Sequence, residues 1–250
     1  VRTLGDPIAI VAAKTRDQAR AAAAAVKVEY EDLPVMMTPE EALAEGAYQI
    51  HPHSPNLCYV QPQVKGDAEK ALARSAAVVE ATFTTQMNHQ AALEPENCLA
   101  YFEGDQLIVF GRSIMIHGHA GMISEAIGWK NVRVKEPFVG GHFGIALTIS
   151  TLGIPAAAAI HFKQAVRYQP SLAESMLVTS KRHPFTMKVK LGADAQGRLT
   201  AYTNEFVIDK GAYFLSGPVI PIRGLQMLSG SYNIPDVYAK ASLSYTNNAS

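Results

Sequence analysis

An α+β fold is predicted by two observations. Helix-period and strand-period segments are mixed along the chain, and several successive strands are joined by hairpin turns where a doubly wound parallel sheet would need helical crossovers. Taking the elements in order, residues 8–12 and 26–31 read as strands around an alanine-rich helix at 15–25. Thr15 is placed to cap that helix and Asp17 to face the positive end of its dipole. A second helix is expected at 39–44, where Thr38 caps, Pro39 takes the first helical position and Glu41 completes a capping box. Residues 46–62, with Pro52, Pro55 and Pro62, read as an extended connector between a small first lobe, 1–45, and a larger one, 63–250.

In the larger lobe, strands are expected at 78–84, 98–102 and 107–110, the last two turning through Glu103-Gly104-Asp105. A helix at 116–127, a strand at 132–135, a glycine-rich turn and a helix at 146–162 come next. Strands at 165–168, 185–193 and 199–209 complete the pattern, with Asp194-Ala195-Gln196-Gly197 turning between the last two.

Twenty-two basic residues balance twenty-two acidic ones, so the chain has no overall field to draw nucleic acid or an anionic membrane. Cys58 and Cys98 are the only cysteines and lack a paired spacing, which argues for a reducing compartment and against an iron–sulfur cluster or a cysteine zinc site within the chain. No apolar run approaches the roughly twenty residues of a membrane helix, and a cytoplasmic protein is expected. Val1 in place of an initiator Met, and the strand-like passage at 243–250, are read as signs of a fragment or a split subunit.

The most informative stretch is Gly140-Gly141-His142-Phe143-Gly144, directly after the strand at 132–135. Glycine takes positive φ without steric cost and lets backbone N–H groups approach a ligand, so this loop is a candidate main-chain cradle. Taken alone it fits an ordinary strand-to-helix turn better; the remainder of the chain reverses that order. It has neither the dinucleotide fingerprint nor a Walker lysine, and no Gly-x-Ser-x-Gly elbow exists elsewhere. His51/His53 and His117/His119 are alternate pairs in a proline loop and at a helix start, settings poorly suited to sharing a metal. Lys181-Arg182-His183-Pro184 reads as a solvated strand entry with buried hydrogen bonds.

Seven segments, in order, resemble the molybdenum-binding large subunit of the xanthine oxidase family: Gly5-Asp6-Pro7-Ile8-Ala9, Glu29-Tyr30-Glu31-Asp32-Leu33-Pro34-Val35, Leu93-Glu94-Pro95-Glu96, Gly140-Gly141-His142-Phe143-Gly144, Thr179-Ser180-Lys181-Arg182-His183-Pro184-Phe185, Asp209-Lys210-Gly211-Ala212-Tyr213 and Tyr232-Asn233-Ile234-Pro235. Ile50-His51-Pro52, Ser113-Ile114 with His117 and His119, and Ile222-Arg223-Gly224-Leu225-Gln226 are most similar to bacterial aldehyde oxidoreductases of the Desulfovibrio type.

The resemblance implies that residues 1–45 are the later part of an α/β hammerhead domain and 63–250 an incomplete first molybdenum-cofactor-binding domain. It implies a molybdenum–molybdopterin cofactor, the cytosine dinucleotide being one candidate form, with no protein side chain on the metal. Gly140, Gly141, His142, Phe143 and Gly144 would face the metal's oxo ligand, and Asn88 would stand at the family's glutamine, one methylene shorter, with Gln86 and Gln90 as alternatives. Leu147 and Tyr213 would line the substrate pocket, Leu147 where purine-oxidising members carry glutamate; the family's catalytic glutamate lies in a later domain outside this chain. The activity implied is oxidation of aldehydes to carboxylic acids with water as oxygen source. Electrons would pass to iron–sulfur clusters, and in some members FAD, in partner domains or chains. The remaining molybdenum-binding domain would be a further partner and the assembled unit a homo-oligomer. A hydroxylase of xanthine- or nicotinate-type rings and a non-catalytic cofactor-binding or assembly module are the alternatives.

Overall fold

The computed structural model describes all 250 residues. Its N-terminal helices form where the capping residues require. In α1 (Arg16–Ala24) the Thr15 hydroxyl accepts the Gln18 N–H, and in α2 (Pro39–Ala42) Thr38 and Glu41 satisfy each other's backbone as a capping box. The strands expected at 8–12 and 26–31 do not form. Ile8, Ile10, Val26 and Val28 are 40 to 49% exposed, and neither segment finds a neighbouring strand. An apolar run becomes a strand only when a partner takes its N–H and C=O groups.

Two mixed sheets form the larger body. The first has strand order β1-β9-β8-β7-β2, built from β1 (Leu57–Lys65), β2 (Ala77–Thr84), β7 (Phe185–Ala193), β8 (Leu199–Gly211) and β9 (Asp236–Tyr245). Only β8 and β9 run parallel, linked by a crossover that carries α7 (Val219–Gln226). The second has the order β5-β4-β3-β6, from β3 (Cys98–Glu103), β4 (Gln106–Gly111), β5 (Val132–Lys135) and β6 (Val166–Tyr168). Here β4 and β5 are parallel, and α4 (Ile116–Ile127) makes the crossover. Both expected hairpin turns are present, Gly104 and Gly197 each taking positive φ.

The stretch expected as an extended connector turns at residues 51–54, where Ser54 N–H donates to the His51 carbonyl, and from Leu57 onwards it is paired as an edge strand. Pro62 sits within that edge strand, where a missing N–H is tolerated. The helix expected from residue 146 begins as α5 at Ser150–Phe162, preceded by a one-turn 3₁₀ helix, Ile145–Leu147; Thr148 is extended (φ −122°, ψ 159°) and separates them. Short α3 (Ala68–Arg74), capped by Asp67, and α6 (Leu172–Val178), capped by Ser171, were not apparent from periodicity.

Each sheet has its own core. Ala100, Leu107, Val109 and Val134 pack against Ile123 of α4 and Leu152, Ala156 and Ala159 of α5. Phe206, Ile208, Ala239, Ala241 and Leu243 pack with Leu225 of α7. Asp209, buried at the end of β8, accepts hydrogen bonds from the Gly211 N–H, the Thr246 hydroxyl and the Asn248 amide, fixing the chain that follows β9. The ends of β2 and β8 and the start of β7 therefore come together at one end of the first sheet.

Candidate functional site

At that end lies a cavity of about 650 Å³. One wall is the segment after β2, with Gln86, Asn88 and Gln90; the second is Lys181, Arg182 and His183 ahead of β7, with Lys210 at the end of β8; the third is Phe143, Gly144 and Leu147 from the loop after β5. The first two walls are joined by a backbone bridge, Asn88 N–H to the Arg182 carbonyl and Arg182 N–H to the Asn88 carbonyl at 3.3 and 2.8 Å. Gln86 donates its side-chain amide to Asn88 Oδ1, whereas Gln90 Oε1 is buried without a partner.

The loop is held from behind. Gly140 N–H donates to Glu94 Oε2, and Glu94 also meets the buried Arg112, whose guanidinium pairs with buried Glu96 at 3.3 Å. Ser175 donates to Glu96 in turn. Gly141 takes φ +112°, and a Cβ there would stand 3.1 Å from the Phe143 ring and 3.2 Å from Ala92 Cβ, so only glycine fits without displacing the loop. Phe143 itself is at φ +49°. The N–H groups of Gly141, His142 and Phe143 make no hydrogen bond within the chain. His142 Nδ1 accepts the Gly144 N–H at 3.0 Å, which leaves Nε2 as the donor, and that atom is buried without a partner. Burial first, then the charge of Arg112, holds this imidazole below its ordinary pKa and so neutral.

Of the residues expected at the site, Asn88, Phe143, Gly144 and Leu147 line this cavity, and Gly140, Gly141 and His142 form the turn behind it. Tyr213 does not. It lines an adjoining cavity of about 610 Å³ that shares Ser180, Leu215 and Ser250 with the first, and its hydroxyl donates to Asp6 at 2.6 Å. Lys210 and His183 stand out in the sequence only as parts of longer motifs, and neither residue type at those positions signals burial. Yet Lys210 is fully buried, with Nζ 3.1 Å from His183 Nε2. No group of three His, Cys, Asp or Glu side chains is placed to hold a metal ion directly.

Burial, then the Lys210 charge, pushes the His183 imidazole from 6.5 down to about 3. The unfolded chain thus binds this proton more readily than the folded one. The site's stability is fully present above about pH 6.5 and is lost as pH falls toward about 3, at up to about 1.4 kcal/mol per pH unit. Urea-unfolding midpoints measured from about pH 7 down to about pH 4 should therefore fall more steeply in the parent than in His183→Gln. Parallel slopes would contradict this origin.

The sequence of residues 50–250 matches the family described as the molybdopterin cofactor-binding domain. The chain belongs to that family. It is 35% identical over 238 residues to an aldehyde oxidoreductase of Megalodesulfovibrio gigas, covering 93% of this chain and 26% of that protein. It is 35% identical over 251 residues to the nicotinate dehydrogenase large molybdopterin subunit of Eubacterium barkeri, covering 99% of this chain and 59% of that protein. The aldehyde oxidoreductase of Desulfovibrio desulfuricans superposes with a TM-score of 0.95 at 29% identity, over all of this chain and 28% of that one. This molybdopterin-binding chain thus spans about a quarter to three fifths of these relatives. The glycine turn fits such a cofactor: its close approach excludes a Cβ at Gly141, and three backbone donors and the His142 Nε2–H lack partners in the chain. No helix is long and apolar enough to cross a membrane.

Proposed function

We propose that the protein containing this molybdopterin-binding chain oxidises aldehydes to carboxylic acids. The observation that carries the reading is the meeting, in one cavity, of the glycine loop with the apolar side chain of Leu147. The N–H groups of Gly141, His142 and Phe143, with the carboxamide of Asn88 across the cavity, would hold the cofactor; Leu147 would face a substrate without a strongly hydrogen-bonding ring. When bound, the molybdenum cofactor supplies a water-derived oxygen nucleophile and takes up the two electrons of the oxidation. The overall change is aldehyde plus water to carboxylic acid, two electrons and two protons, the electrons leaving to iron–sulfur clusters, and in some assemblies FAD, in partner domains or chains. The chain's own residues position the groups: Glu94 fixes the Gly140 N–H, and the Asn88–Arg182 bridge sets the separation of two walls.

The test is full-length protein purified with its native partners. It should contain molybdenum and pterin, and in ¹⁸O-labelled water benzaldehyde should yield singly labelled benzoate. A protein without pterin, or one that turns over xanthine or nicotinate in preference to aldehydes, would refute the assignment.

A further inference from the structure

The cavity has a charge pattern that the glycine loop does not explain. Three cationic residues, Lys181, Arg182 and Lys210, are among its lining residues, and no Asp or Glu side chain is. In a chain whose charges balance overall, such segregation marks a local field. The Arg182 side chain is exposed, and its guanidinium makes no hydrogen bond or ion pair in the chain, although its backbone is fixed at both N–H and C=O by Asn88. Lys210 is fully buried, and its ammonium has only His183 Nε2 as a partner, leaving two donors unused. His183 is 7% exposed, and its Nδ1 is buried without a partner. Lys181 spends its ammonium on the Thr179 carbonyl, and the carboxylate acting on it, Glu96, is already held by Arg112 and Ser175. Within this chain the buried Lys210 ammonium has no carboxylate partner, and an anion entering the cavity would supply one.

We propose that Arg182 and Lys210, with His183 behind them, form an oxyanion-binding subsite in this cavity that takes a carboxylate or phosphate group. Arg182 offers the planar fork that matches either group, and Lys210 adds a point charge from within the wall. Burial draws Lys210 down to about 8, so near neutral pH it still carries most of its charge. The oxyanion has two possible sources: a carboxylate on the substrate or product, or the phosphate of the cofactor. Assigning it to either rests on the proposed function; the subsite itself rests on the lining alone.

The experiment compares full-length parent protein with Arg182→Met, Arg182→Lys and Lys210→Met. Each is assayed for pterin and molybdenum content and titrated calorimetrically with inorganic phosphate and with benzoate. The Arg182 side chain is exposed and unbonded, so its loss should leave the unfolding temperature unchanged. Lys210→Met removes a buried charge but also leaves His183 Nε2 without its partner, so its unfolding temperature is measured first and the titrations are made well below it. If the oxyanion is the cofactor's phosphate, pterin content falls at least about fivefold in both methionine variants and much less in Arg182→Lys. If it is a substrate or product carboxylate, pterin content stays at the parent level while the benzoate Kd rises at least about tenfold in both methionine variants. Unchanged pterin content, with phosphate and benzoate binding parent and variants alike or binding none of them, overturns the subsite. A parent without pterin would sink the proposed function, and the titrations would then decide the subsite independently.

Discussion

Gly141→Val is expected to strip molybdenum and pterin from the full-length protein to below about a tenth of the parent content, while far-UV circular dichroism stays unchanged. The backbone at Gly141 sits at φ +112°, where a β-branched residue is strained by roughly 1–3 kcal/mol. Space compounds the strain: even a Cβ would press on the Phe143 ring and on Ala92, and the valine methyl groups extend further. The loop must then swing, taking with it the N–H groups of Gly141, His142 and Phe143 that have no other partner. Gly104→Ala provides the control, because Gly104 also has positive φ but a Cβ there meets nothing within 4 Å. That variant should lose a similar amount of backbone stability and keep its cofactor. Full metal content in Gly141→Val would mean that the cradle lies elsewhere.

The sequence reveals most clearly the features whose physics is local. The capping box of Thr38 and Glu41, the two hairpin turns and the helix at 116–127 depend on neighbours in the chain, and all are present. Features that depend on a distant partner were harder to read. Residues 8–12 and 26–31 carry strand composition but no strand pairs with them, whereas β9 lies between β1 and β8 although Ala239, Ala241, Ser242 and Ser244 give it little strand character. Its small residues suit a buried position against α7, which periodicity alone cannot supply. The site divides in the same way. The glycine loop is legible because glycines at such spacing report backbone conformation directly. Lys210 and His183 are not, because lysine and histidine near strand ends are ordinarily solvated, and only the meeting of β7 and β8 buries them together.

Leu147→Glu should change substrate preference more than any other single replacement in this cavity. Leu147 is half-buried on the 3₁₀ turn after the glycine loop and faces the same space as Lys181, Arg182 and Lys210. An apolar side chain there disfavours polar rings through desolvation, since leaving a ring N–H or carbonyl unpaired costs about 1–3 kcal/mol, roughly a tenfold to hundredfold change in kcat/KM. A carboxylate at this position would offer that missing acceptor and would itself be accommodated by the neighbouring cations. In the complete enzyme, kcat/KM for benzaldehyde should therefore fall about tenfold to a hundredfold, acetaldehyde should lose less, and xanthine should gain. Measuring the three substrates side by side in parent and variant decides the matter. Unchanged ratios would show that Leu147 does not touch substrate, and a parent already favouring xanthine would overturn the aldehyde assignment, because no apolar wall at this position would select that ring.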